Sequence, residues 1–151
     1  MAFPAGQKVR ASDLNMLLAH TLRYETNTGT SCASGADTDI PFTTGVKTDT
    51  DYFSVSAANI TILKAGWLNV PGAAIRMASG TTGYELKVKL NGGLVTGTNG
   101  GSTLQANIST GFQVAVNDIV KVVVFHTTGV AKLLETGAGR QNHIALEWRP
   151  L

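Results

Sequence analysis

The sequence is short of cysteine and of charge, and each shortage excludes a class of protein. Cys32 is the single cysteine, so neither a disulfide framework nor a zinc quartet can form within the chain. Lysine and arginine form no run and the net charge is only +2, so the sequence lacks the basic surface that nucleic acid requires. We therefore expect no structural metal and no nucleic-acid partner.

Long apolar runs are also missing. No stretch approaches the ~18 consecutive apolar residues of a membrane-spanning helix. The first residues, Met-Ala-Phe-Pro-Ala-Gly, have neither the basic start nor the apolar run of a secretory signal. We expect a protein that is made in a cytoplasm and has no membrane partner.

Patterns for catalysis are equally sparse. The three histidines, His20, His126 and His143, stand in no metal-ligand spacing, and no Gly-x-Ser-x-Gly motif is present. The glycine-rich residues 97–102 lack the lysine of a phosphate-binding loop. We expect neither enzyme activity nor a cofactor.

Four aspartates allow a calcium site as one interpretation. Asp37, Asp39, Asp49 and Asp51 recur at i, i+2 in two polar segments. Carboxylates in such segments, together with carbonyl groups, can hold a calcium ion. Aspartates also cap turns by accepting hydrogen bonds from nearby backbone N–H groups. We prefer the turn-capping interpretation and expect no metal.

Turns are what the sequence has in abundance. It contains 17 glycines, mostly in short polar clusters, and only 15% charged residues, against about 25% in typical soluble domains. The clusters separate about eight to ten short apolar segments, a spacing typical of all-β sandwiches and jelly rolls in one domain. Because the surface is poor in charge, we expect part of it to be covered, most simply by other copies of the chain.

The most informative stretch is residues 59–77. Alternating apolar residues predict a short strand, a turn at residues 64–66 and a longer strand that Pro71 interrupts. Because proline cannot donate to the ladder, it predicts a bulge that shifts the register by one residue. The inward side chains are then Leu68 and Val70 before the bulge and Ala73, Ile75 and Met77 after it.

Two further segments carry clear strand signals. Residues 84–90 alternate cleanly and end at the Asn-Gly pair of residues 91–92, a strong hairpin signal. Residues 119–126 are apolar on both faces at their far end. A strand of that kind is covered on both faces, so its second cover must come from another subunit or from a loop.

Weaker signals fill the remaining stretches. Residues 40–42, Ile-Pro-Phe, predict a short edge strand, since a proline there cannot donate to a ladder. Residues 43–51 and 97–102 are polar and rich in turn formers, so we expect both to be loops.

The first residues differ from the rest of the chain. Ser12 predicts a helix N-cap, and Asp13 suits the positive end of the helix. The leucines that follow repeat at helical spacing: Leu14, Leu17, Leu18 and Leu22. About two to three turns are too few to be stable alone, so the helix docks either on its own domain or on a larger assembly. We divide the chain into an arm with a short helix, residues 1–22, and a head, residues 23–151.

The head resembles a known superfamily. Residues 60–70 read Ile-Thr-Ile-Leu-Lys-Ala-Gly-Trp-Leu-Asn-Val, which is similar to the core strands of the tumour-necrosis-factor and complement globular-head superfamily. Residues 84–92, 117–122 and 137–140, the last leading into a closing apolar strand, continue the likeness. The resemblance covers roughly residues 38–148, and the proline in the longer central strand departs from it.

This resemblance implies a ten-strand jelly roll that associates as a homotrimer around apolar and aromatic side chains. We expect four side chains to be buried at the axis of such a trimer: Trp67, Val123, Phe125 and Trp148.

The start of the chain resembles a second group. Residues 3–15 read Phe-Pro-Ala-Gly-Gln-Lys-Val-Arg-Ala-Ser-Asp-Leu-Asn, which is similar to the starts of small structural proteins of tailed bacteriophages. There a Gly-x-x-x-x-Ala-x-x-Leu-Asn stretch precedes a virion-exposed domain. The resemblance implies a virion anchor, for which the candidates are Phe3, Pro4, Leu14, Leu17 and Leu18.

Three functions fit these patterns. The first is a capsid decoration protein on the virion surface, whose partners are its own copies and the major capsid protein. The second is a tail-tip or fibre head that contacts tail proteins and binds a host receptor or glycan through residues 43–51 and 97–102. The third is a non-viral ligand-binding module of the same fold. We favour decoration, because no heptads or repeats between arm and head provide a fibre shaft.

Overall fold

The structure, a computed structural model, describes residues 19–26, 28–78, 81, 83–100, 106–136 and 142–151. Within these ranges every regular element is a β-strand, and no helix is long and apolar enough to cross a membrane. The strands are β1 His20–Thr26, β2 Ser31–Cys32, β3 Thr38–Asp39, β4 Thr44–Thr48, β5 Phe53–Ser56, β6 Asn59–Ile62, β7 Gly66–Ile75, β8 Tyr84–Leu90, β9 Gly93–Gly100, β10 Ala106–Val114, β11 Ile119–His126, β12 Lys132–Leu133 and β13 Asn142–Arg149.

Most strands form two antiparallel sheets, and β2 and β12 pair separately as a short two-stranded sheet. The first sheet has the order β10-β7-β13-β1-β4, and the second has the order β5-β6-β11-β8-β9, with β3 also paired to β11. Most neighbours are distant in sequence, so the chain crosses repeatedly from one sheet to the other. The predicted all-β jelly-roll sandwich is therefore confirmed.

The core lies between the two sheets and is built from alternate residues of each strand. On β8 the side chains of Leu86 and Val88 are fully buried, whereas Glu85 and Lys87 lie on the other face. The largest contributors, each worth about 1.5–3 kcal/mol on burial, come from both sheets. They include Leu22, Leu68, Ile75, Ile144 and Leu146 of the first sheet and Phe53, Ile60, Ile62 and Leu86 of the second.

The bulge in β7 lies where the sequence predicts it. Val70 pairs with Thr110 and Ala73 pairs with Ile108, so Pro71 and Gly72 together oppose a single residue of β10. The register against β13 shifts at the same place. The inward set changes there as predicted, since Leu68, Val70, Ala73, Ile75 and Met77 are all buried in the core.

Two turns at one end of the sandwich are tied to each other. Asn91 and Gly92 have φ angles of 50° and 84°, the left-handed conformation that the Asn-Gly hairpin signal predicts. Asp118 accepts hydrogen bonds from the Asn91 side-chain amide and from the Ala115 backbone N–H, both at 2.7 Å. The N–H of Asn117 donates to the Ile62 carbonyl oxygen at 2.8 Å, so β6 joins the same assembly.

Three assignments from sequence were wrong. Residues 40–42 form no strand, although Ile40 and Phe42 are buried in the core. Residues 43–51, predicted as a loop, contain β4, and residues 97–100 of the other predicted loop belong to β9. β4 carries Val46 as its one apolar residue and its side chains are mostly exposed, so no alternating pattern marks it. Its hydrogen bonds to β1 define it instead.

The head begins earlier than the predicted boundary. β1 starts at His20, and the buried Leu22 packs in the core, so residues 20–22 are part of the first sheet. Leu22, counted in the predicted helical repeat, therefore belongs to a strand, and the rest of that helix, with its cap at Ser12, lies outside the described residues.

A close approach at the start of β7 gives a test of this packing. A Cβ added at Gly66 would lie 2.5 Å from both the Arg149 carbonyl oxygen and Nε1 of Trp148. That backbone oxygen cannot retreat without disturbing the pairing of β7 with β13. We expect Gly66→Ala to lower the free energy of unfolding by about 1–3 kcal/mol, measured by urea denaturation.

Gly93→Ala is the matched control for this substitution. Its Cβ would lie 3.4 Å from the Leu90 carbonyl oxygen, an ordinary contact distance. An equal loss of stability in the two variants would contradict the proposed crowding at Gly66.

Candidate interaction surfaces

The first sheet exposes one large aromatic side chain on its outer face. The register places Trp67 of β7 beside Gln113 of β10 and Arg149 of β13, all directed away from the core. Trp67 is 42% exposed, and no other aromatic side chain in the described ranges is as exposed. An exposed tryptophan on a flat sheet is a candidate contact for a partner.

The orientation of Trp67 is fixed by its neighbours. Its Nε1–H donates to Oδ1 of Asn69 at 2.9 Å. Both groups lie over Gly111 of the adjacent strand, where an added Cβ would come within 2.6 Å of Asn69 Oδ1 and 3.0 Å of Trp67 Nε1. Because the indole is held in place before any partner arrives, little side-chain entropy is lost on contact.

The rest of this outer face includes small residues on β7 and β13, and several of its charges are paired. Gly72 and Ala145 lie opposite each other in the register, and Ala74 follows on β7. Two ion pairs join residues within one strand each, Arg23 with Glu25 at 3.2 Å and Glu147 with Arg149 at 3.3 Å. Small side chains and charges paired within the protomer suit packing against another sheet.

The second sheet is different, because a segment of the same chain pairs alongside β11 and reaches over the outer face with a side chain. We call residues 33–39 the strap. Gly35 N–H donates to the His126 carbonyl oxygen at 2.7 Å, and β3 pairs with β11. Asp37 accepts hydrogen bonds from Lys87 at 3.0 Å and from Lys89. The backbone bonds hold the strap alongside β11, and the Asp37 side chain reaches over β11 to the lysines of β8.

The strap explains why β11 is apolar on both faces. Val123 lies between Asp39 on one side and Lys87 on the other in the register, and it is fully buried. The bond between Asp37 and Lys87 crosses β11 at this position. Of the two covers that the sequence allowed, a loop supplies this one, and Val123 has no exposed surface left.

Phe125 shares the outer face of the second sheet. Its ring is half-buried, and Nζ of Lys87 lies 4.6 Å from the ring centroid, a cation–π distance. Phe125 and Trp67 therefore lie on opposite faces of the sandwich.

Trp148 lies inside the sandwich, near the end from which the arm leaves. It is 5% exposed, and its Nε1–H donates to the Lys64 carbonyl oxygen at 2.8 Å. Tyr52 lies 4.5 Å from Trp148 between ring centroids and stacks on His20 at 3.6 Å. We call these four residues the arm-exit cluster. They are far apart in sequence, so no spacing indicates the cluster.

The predicted anchor residues are not among those that the structure describes. Phe3, Pro4, Leu14, Leu17 and Leu18 all precede Ala19, the first described residue. The structure does locate the point at which they join the head. Ala19 is exposed and leads directly into β1 beside the arm-exit cluster.

The aspartates that left a calcium site open have other partners. Asp37 and Asp39 pair with lysines, at 3.0 Å from Lys87 and 2.5 Å from Lys121 respectively. Asp49 contacts His20 and accepts a hydrogen bond from the Asp51 backbone N–H at 3.3 Å, a turn-capping contact. Within the described ranges, no three His, Cys, Asp or Glu side chains are placed to hold a metal ion.

The buried histidine and cysteine form a structural pair. His126 is 1% exposed, and its Nε2 donates to the Cys32 carbonyl oxygen at 2.9 Å. Burial raises the pKa of the Cys32 thiol to about 11. At neutral pH that thiol stays protonated, so it is a poor nucleophile.

Several solved structures share this fold. Murine APRIL matches with a TM-score of 0.71 at 11% identity, over 87% of this chain and 99% of its own. PRD1 vertex protein P5 matches at 0.59 and 21% identity, over 88% and 96%. Pika GITRL matches at 0.53 and 10% identity, over 88% and 98%. The predicted resemblance to the tumour-necrosis-factor-like jelly roll is therefore confirmed as a fold.

Comparison of the amino-acid sequence gives no such match. No protein-family model and no curated protein resembles it closely enough to be recognised.

The ion pairs of the strap predict a pH dependence. The hydrogen bond from Lys89, together with Lys87, holds the pKa of Asp37 below its ordinary value of 3.8. A lowered pKa in the folded state stabilises the fold above the unfolded-state value, and that stabilisation disappears as the pH falls through the folded-state value. We expect Asp37→Asn to cost about 1 kcal/mol of unfolding free energy at pH 7, and this difference from wild type to shrink below about pH 4.

Asp51→Asn is the control for the change of charge. Asp51 is exposed, and in the described ranges it has no lysine or arginine within ion-pair distance. Urea unfolding of the three proteins at pH 6 and pH 3 measures the effect. A difference between wild type and Asp37→Asn that grows on acidification would contradict it.

Proposed function

We propose that the protein is a non-enzymatic, homotrimeric surface protein of a bacteriophage particle, acting as a capsid decoration protein that its N-terminal arm attaches to the shell. The observation that carries the proposal is the likeness of nearly the whole chain to PRD1 vertex protein P5, a phage protein. A vertex is a position on a capsid shell, so the likeness favours the capsid over the tail. The start of the chain, with its resemblance to phage structural proteins, supports the same assignment.

The trimer contact is best supported on the first sheet. A closed ring of three requires that each protomer turn two converging patches towards one axis. Opposite faces of a sandwich are nearly parallel, so contacts through both would build an open stack. Trp67 and Phe125 therefore cannot both line the axis as main contacts.

Trp67 is the better candidate of the two. Trp67 is exposed on the first sheet, whereas Lys87 already lies over the Phe125 ring and its ion pair with Asp37 crosses β11. Val123 and Trp148, the other residues predicted for the interface, are buried within the protomer. We propose that they support the contact only by holding their sheets in shape.

Two charge substitutions discriminate between the faces. We expect Trp67→Asp to convert the trimer into monomers, because an unpaired carboxylate would be buried at the contact. Phe125→Asp should leave the trimer intact, since its carboxylate would meet Lys87. Molar mass from light scattering after gel filtration measures both.

Leu94→Asp, at an exposed residue of β9, controls for the added charge. If Phe125→Asp gave monomers while Trp67→Asp stayed trimeric, the axis would lie on the second sheet.

The alternative is the same head at a tail tip or on a fibre, where it would bind a host receptor or glycan. The segments first considered for that binding belong largely to strands β4 and β9. The location of the protein on the particle separates the two functions.

The anchor is tested by deleting residues 1–18, which leaves β1 whole. Removing residues 1–22 would also remove the buried Leu22, whose strand lies between β13 and β4. We expect full-length protein to bind particles made without it, and gold-labelled antibody to mark the capsid evenly. The shortened protein should remain a folded trimer and leave the particles unlabelled in electron micrographs.

Label confined to the tail would establish the alternative. Attachment of the shortened protein would place the anchor elsewhere on the head.

A further inference from the structure

Exposed apolar side chains gather at the end of the sandwich from which the arm leaves. We define the arm end as Ala19, the turns at residues 63–65, 91–92 and 115–118, the first residues of β9, 93–94, and the last residues, 149–151. Hydrogen bonds hold these parts together. Asn117 N–H donates to Ile62, the Asn91 amide to Asp118, and Trp148 Nε1–H to Lys64, at 2.7–2.8 Å.

Four large apolar side chains of the arm end face solvent. Leu63 is 36% exposed, Val116 53%, Leu94 60% and Leu151 75%. Scattered exposed apolar residues are normal, but turns are ordinarily filled with polar residues. A group of four around tied turns marks an interaction surface.

The position of the arm identifies the occupant of this surface. Eighteen residues precede Ala19, and Ala19 lies at this end of the head. The start of β1 is fixed there, because His20 stacks on Tyr52 and contacts Asp49. A shell that the arm binds close to this point faces the arm end. Once the arm is bound, the second contact is intramolecular, so even a weak apolar contact adds to attachment.

We propose that the arm end is a second docking surface, through which Leu63 and Val116 seat the head on an apolar protein surface of the particle shell. The proposal rests on the proposed function and extends it. The arm supplies the tether, and the arm end fixes the distance and orientation of the head above the shell.

The test compares two double variants that keep the whole arm. Leu63→Asp/Val116→Asp alters the arm end. Val130→Asp/Leu133→Asp is the matched control, since these residues are 61% and 51% exposed at the opposite end of the sandwich. We expect the arm-end variant to dissociate from particles at least about tenfold faster than wild type, and the control variant to dissociate at the wild-type rate.

Two measurements on the free variants complete the test. An unchanged trimer mass and an unchanged urea midpoint for the arm-end variant would support the shell as the occupant. A lower mass or midpoint would show that the chain's own arm or another copy covers the surface, and would overturn the proposal.

The remaining outcomes separate this proposal from the one on which it rests. Wild-type dissociation of the arm-end variant, together with failure of the protein lacking residues 1–18 to attach, would overturn the docking surface and leave the decoration function standing. Equal acceleration in both double variants would also overturn it, because the effect would not depend on the end of the head. Failure of wild type to attach to any particle would overturn both.

Discussion

The register of β7 at its bulge is the constraint on which the architecture depends. β7 lies between β10 and β13, so its register sets the register of both. Pro71 cannot donate to either neighbour, and the bulge gives it a place where no donor is needed. Before the bulge the outer face receives Trp67 and Asn69, and after it Gly72 and Ala74. One backbone irregularity thus keeps the core apolar along the whole strand and places two small residues on its outer side.

Much of this register could be read from the sequence because it depends on local chemistry. Proline without a donor, Asn-Gly with positive φ and strict alternation in β8 each act within a few residues. Their consequences, the β7 bulge and the β8–β9 hairpin, were predicted correctly. β4 was missed because its strand character comes only from hydrogen bonds to β1, a partner about twenty residues away.

The faces of the sandwich could not be predicted from the sequence. The alternation of residues along β11 shows that Val123 and Phe125 point to the same face. It does not show which sheet contains them or which side chains cover that face. The cover on β11 depends on Asp37 reaching lysines 50 and 52 residues further along the chain. Burial of an apolar side chain is therefore an ambiguous sign of a subunit contact, because a strap of the same chain produces the same pattern. Exposure in the folded protomer, as at Trp67, is the more informative observation.

The candidate surfaces of the head face in different directions. In the assembly that we propose, the first sheet contacts other copies and the arm end faces the point of attachment, whereas the strap and its ion pair with Lys87 cover β11 of the second sheet. A three-fold axis keeps equivalent points at equal height along it, so in the trimer that we propose three arms and three apolar ends lie in one plane. Contacts that are each weak then act together, and all three must release before the trimer leaves. A chain with few charges can thus hold firmly to a shell through small apolar patches, provided that it first binds to itself.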